Sequence, residues 1–99
     1  MPIWPKSTFD AYYPDKGMDS NLPCEVRING DEIVVSYRDD FRKCLVVWKG
    51  HDEGNGHYVL EAPTVKGRAT LHMNSDHEIL DGWYIEDRRQ GMWRFTLDE

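Results

Sequence analysis

The chain has 99 residues, 39% hydrophobic, 30% charged and 12% aromatic, with 18 acidic against 12 basic side chains and a formal net charge of −6. That is one domain's length with material for one modest core, and the aromatic content excludes a disordered chain, which would be poor in such residues. The acidic balance, with Arg88-Arg89 as its densest basic group, argues against nucleic acid as a partner, and no run approaches the ~18 apolar residues of a helical membrane span.

The first ten residues, MPIWPKSTFD, have neither the basic start nor the long apolar stretch of a secretory signal, so a cytoplasmic location is expected. Residues 1–23 hold four of the five prolines, Pro2, Pro5, Pro14 and Pro23. Proline removes a backbone donor and fixes φ, so this segment is expected to be irregular. A capping-box-like start at Ser7-Thr8-Phe9-Asp10 gives it one short helical turn, ended by Pro14. Ile3, Trp4, Phe9, Tyr12 and Tyr13 carry too much apolar area for water. The segment therefore reads as an arm or plug laid across one end of a β domain that occupies residues 24–99.

From Cys24 the pattern alternates. Cys24 to Ile28 and Ile33 to Tyr37 read as a hairpin about Asn29-Gly30, two residues that tolerate the positive φ of a tight turn. A two-residue loop there sets Val26 against Ile33, Cys24 against Val35 and Arg27 against Glu32. After a polar turn at Asp39 to Lys43, Cys44 to Lys49 is apolar on both faces, as expected for a strand covered on both sides. Gly50 to Gly56 reads as a loop. His57 to Ala62 is the next strand, stopped by Pro63, and Gly67 to Met73 alternates with Ala69, Leu71 and Met73 inward. Ile79 to Ile85 follows a turn at Asn74 to His77. Here Gly82 marks a possible bulge that sets whether Trp83 or Tyr84 faces inward. In the last strand Trp93, Phe95 and Leu97 point inward, with Met92, Arg94 and Thr96 outward.

Short strands at regular spacing with short connections predict an all-β, antiparallel up-and-down meander of about 7–8 strands, closing into a partly open barrel. In architecture this resembles the lipocalin and avidin type of barrel in an unusually short form. No motif of those families is carried over.

Chemical motifs are sparse. There is no P-loop, nucleophile elbow, dinucleotide fingerprint or Cys-x-x-Cys, and no cofactor is expected. The carboxylate pairs Asp39-Asp40, Asp52-Glu53, Glu86-Asp87 and Asp98-Glu99 are sequence neighbours in turns, where Asp is favoured on local grounds. His51, His57, His72 and His77 show no recognised ligand spacing, so no metal site is expected. Cys24 and Cys44 fall on strands separated by a third. That places them at least ~9 Å apart, too far for a bridge, and predicts two free thiols serving as small core residues. Trp48, Tyr58, Trp83, Tyr84 and Arg94 are the candidates for lining a ligand site at a barrel mouth.

The function that follows is a non-enzymatic module binding a small apolar ligand or a protein partner. Two other readings stand beside it. One is a small enzyme with His57, Tyr58, Glu86 or Arg94 converging on a pocket. The other is a self-associating domain, a homodimer that pairs through Met92, Arg94, Thr96 and the Leu45–Val47 strand.

Overall fold

The structure, a computed structural model, describes residues 3–14, 17–39, 43–74, 76, 78–86 and 89–98. The sequence readings that involve Asp40, Phe41, Arg42, His77, Asp87, Arg88 and Glu99 lie outside them. Eight strands follow one another: β1 (Ile3–Tyr13), β2 (Gly17–Asn29), β3 (Glu32–Asp39), β4 (Cys44–Asp52), β5 (His57–Ala62), β6 (Gly67–Met73), β7 (Ile79–Glu86) and β8 (Arg89–Thr96). Each pairs antiparallel with the next, and β1 pairs with β8 to close the barrel. The only described helical turn is Pro63–Val65, between β5 and β6, and no described helix is long and apolar enough to cross a membrane.

The predicted meander barrel is the observed fold, but its first 23 residues are not an arm. The described residues among them form β1 and the outer half of β2, and β1 supplies the closing strand. The sequence obscured this because prolines interrupt the alternation. Pro5 sits in an irregularity between Trp4 and Ser7, where β1 slips against β2, and such a bulge tolerates a missing donor. Pro23 lies where β2 has run past its last partner on β3, at Glu25–Ser36. Phe9 and Ala11 are core residues of a strand, so the expected helical turn is absent and its apolar positions belong to the wall.

The β2–β3 hairpin also differs by two residues from its expected register. Val26 pairs with Val35 and Ile28 with Ile33, so the turn is Gly30-Asp31 rather than Asn29-Gly30. Gly30 has φ +63° while Asp31 is not left-handed, which suits a type II′ turn, needing positive φ only at its first central residue. An even shift leaves every side chain on its expected face. Arg27 therefore meets Val34 across the ladder, and its charge pairs along its own strand with Glu25 at 3.2 Å.

The interior is apolar and the outer face carries Arg27, Glu32, Lys49, Glu61, Arg68 and Arg94. Gly82 does not bulge: β7 runs in unbroken register with both neighbours through it. Its role is close approach, because a Cβ there would strike the Thr70 carbonyl of β6. The chain ends are latched at the barrel's far end. Buried Ser7 donates its hydroxyl to the Trp4 carbonyl at 2.9 Å and accepts from the Asp98 amide at 3.1 Å.

Two expectations about β4 and the cysteines change. Leu45 is 64% exposed, so β4 is not covered on its outer side as its apolar run predicted. Cys24 is buried and Cys44 exposed, both as free thiols. Cys44 shares the inward parity of Val46 and Trp48 but stands at the strand's first residue, beyond the packed interior.

Replacing Gly82 with Ala is expected to cost about 1–3 kcal/mol, the usual cost of overpacking against an atom that cannot move aside. Urea unfolding followed by far-UV circular dichroism checks it; an unchanged midpoint would show that β6 and β7 have room to part.

Candidate ligand site at one end of the barrel

Trp93, on β8, sits in the middle of the interior. It stacks on Tyr84 (centroids 4.3 Å, 14°) and meets Trp48 (4.8 Å), Phe95 (5.3 Å), Phe9 (6.1 Å) and Tyr37 (6.5 Å) at steep angles. Edge-to-face and offset contacts of this kind are the favoured aromatic geometries. Towards the chain termini Phe95, Val26, Ile33, Leu60, Leu71 and Leu80 are fully buried in the lumen. Towards the β1–β2, β3–β4 and β7–β8 turns the lumen opens into a cavity of about 370 Å³.

The strand pairing explains the opening. β2 and β3 part beyond Glu25–Ser36, yet each continues, β2 outward along β1 and β3 along β4. The wall therefore splays at this end, with Leu22 and Pro23 on one lip and Tyr37, Arg38 and Asp39 on the other. Asn21 is in the left-handed region (φ +56°), and its amide donates to Asp10 Oδ1 at 2.9 Å, beside the register shift between Phe9 and Ala11. Phe9, Ala11, Tyr84 and Trp93 form the floor. Tyr13, Asp19, Glu86 and Arg89 complete the rim.

Polar order at this rim is built from tyrosines and charge pairs. Tyr13 donates its hydroxyl to Asp19 Oδ2 at 2.9 Å, and the Tyr37 hydroxyl accepts the Trp48 indole N–H at 3.2 Å. Glu86 is buried, with Arg89 Nη1 at 4.0 Å from its Oε1. Burial, followed by the neighbouring Tyr13 and the Glu86 charge, pushes the Tyr84 phenol well above its ordinary range. Tyr13 shifts the same way, through burial and then its bond to Asp19. These phenols stay protonated at neutral pH, so they serve as hydrogen-bonding groups and not as bases.

Of the five residues singled out from the sequence, only Tyr84 lines the cavity. It is 2% exposed and Trp83 41%, which answers the question of Gly82's neighbours in favour of Tyr84. Trp48 is fully buried beneath Tyr37, and Tyr58 is buried near the opposite end, beside Asp52. Trp83 and Arg94 point outward, away from the cavity, and Arg94 faces Asp81 at 4.0 Å. Nor do His57, Tyr58, Glu86 and Arg94 converge: of these only Glu86 reaches the cavity. Sequence reasoning missed Phe9, Tyr13, Asp19 and Leu22 because the segment that carries them was read as irregular.

The outer surface holds a second feature. Met18, Tyr12, Met92, Trp83, Thr70 and Val59 are successive cross-strand partners, forming one row over β2, β1, β8, β7, β6 and β5. Its apolar members are all exposed. No protein-family model, curated protein or solved structure matches this chain.

The buried thiol and phenols set an alkaline limit. Burial raises Cys24 from 9.0 to about 12 and raises Tyr84 and Tyr58 above 10.0. The folded state thus holds these protons more tightly than the unfolded chain. The stabilisation is complete below the unfolded values and is lost as pH rises through the folded ones. The urea midpoint is expected to fall from about pH 9 upward, and less steeply in Cys24→Ala and Tyr84→Phe. Equal slopes in all three proteins would remove these groups as the cause.

Proposed function

We propose that the protein binds a small ligand carrying an aromatic ring or compact apolar body in the cup between β2 and β3. The observation that carries this reading is the cavity itself: about 370 Å³, floored by Phe9, Tyr84 and Trp93 and rimmed by Tyr13, Asp19, Arg38 and Glu86. Ligand pockets usually have a few hundred Å³ of apolar space with a small number of polar groups to fix orientation. Barrels of eight strands are just wide enough to hold one small ligand, as lipocalins and avidin-type proteins do. The protonated phenols favour recognition over acid–base chemistry, so binding is preferred to an enzymatic reading. The neutral fluorophore N-phenyl-1-naphthylamine is the probe. It is expected to bind one-to-one with enhanced emission, and Leu22→Trp or Ala11→Leu, which fill the cup, should abolish the signal. Trp83→Ala, on the outer face, should leave it intact. Binding retained in both cup variants, or lost in Trp83→Ala, would overturn the proposal.

A second reading is favoured by the outer apolar row: self-association of two copies through Trp83, Met92, Tyr12 and Met18. Exposed contiguous apolar surface commonly marks an interface. Sedimentation should show a concentration-dependent dimer that Trp83→Lys converts to monomer. A monomer at every concentration removes this reading.

A further inference from the structure

The barrel's opposite end carries a pair of groups that the cup does not use. His57, at the start of β5, and His72, near the end of β6, are direct cross-strand partners on the outer face. The Met73 amide donates to the Gly56 carbonyl at 2.9 Å. That makes Gly56–Met73 a hydrogen-bonded position and places His57–His72 at the adjacent non-hydrogen-bonded one, where facing side chains come closest. The imidazole centroids are 4.2 Å apart and the rings are inclined at 68°.

We propose that His57 and His72 form a bidentate site for a late first-row divalent cation. Two imidazole nitrogens on one cation, each at about 2.1 Å, lie about 3.0–3.4 Å apart. Rings at 4.2 Å provide that spacing with modest side-chain rotation. The backbone already holds both residues, so little ordering is needed on binding. The backbone around the pair is fixed as well: the Glu53 amide donates to the His57 carbonyl at 2.7 Å, and His72 is paired across to Asp81 on β7. Among the described residues no third ligand joins the pair, so water completes the coordination shell. The donor set excludes calcium and magnesium, which require oxygen, and suits nickel, copper and zinc. Such a cation would clip β5 to β6 across a hairpin whose tip is the Pro63–Val65 turn.

The test is calorimetric titration of the full chain carrying Cys44→Ser, which removes the exposed thiol as a competitor, with Ni²⁺, Zn²⁺ and Mg²⁺. Ni²⁺ and Zn²⁺ are expected to bind one-to-one and Mg²⁺ not at all. His57→Asn or His72→Asn should each weaken Ni²⁺ binding about a hundredfold by removing the chelate, while His51→Asn leaves it unchanged. A variant-free readout accompanies it: on Zn²⁺ addition the side-chain ¹⁵N resonances of His57 and His72 should shift together. Absence of one-to-one binding, undiminished affinity in both variants, loss in His51→Asn, or movement of only one histidine's nitrogens would overturn the proposal.

Discussion

The stacking of Trp93 on Tyr84 is the contact on which the interior depends. A lumen bounded by eight strands is only as wide as the side chains that fill it. A tryptophan within it, packed against Tyr84, Trp48, Phe95, Phe9 and Tyr37, divides that lumen. On the terminal side the remaining width is taken by aliphatic residues packed to exclusion of solvent. On the other side the same aromatic rings become the floor of the cavity. One rigid cluster thus supplies both the core that holds the fold and the surface that a ligand would meet.

The space above that floor exists because β2 and β3 separate. A closed barrel needs each strand to satisfy two neighbours, yet among the described residues the outer half of β2 pairs only with β1. Its exposed edge is managed by irregularity, with Pro23 unable to donate and Asn21 kinked against Asp10. Such features blunt an edge against unwanted pairing. The same splay leaves a lip at Leu22 and an entrance lined by Tyr37 and Arg38. Stability is recovered at the far end, where Ser7 ties the first and last strands together and satisfies both of its hydrogen-bonding partners while buried.

The candidate sites therefore divide between faces and ends. The cup is an interior feature at the end of the β1–β2 and β7–β8 turns. The histidine pair and the apolar row are exterior features, created because strand pairing aligns residues distant in sequence. Trp83 and Tyr84 show the division within one dipeptide: strand periodicity sends the first to the outer row and the second to the cavity floor.

Much of the fold was legible in the sequence. From His57 onward the period-two pattern sets strand positions and facing directly, and the inward set Ala69, Leu71, Trp93 and Phe95 follows from alternation alone. Even the two-residue register error at Gly30 preserved facing, because side-chain direction depends only on parity. What alternation does not encode is partnership. That β1 pairs with β8, that β2 outruns β3, and that His57 meets His72 are facts of ladder register, fixed by hydrogen bonds between segments far apart in the chain. The prolines hid the first strand for the same reason: a missing donor is costly in an isolated strand pattern but harmless at a bulge or an unpaired edge. The sequence by itself determined an all-β meander with an apolar interior, through its alternation and turns. Only the tertiary structure decided where the interior stays open, because a cavity arises where neighbouring strands lose their shared register.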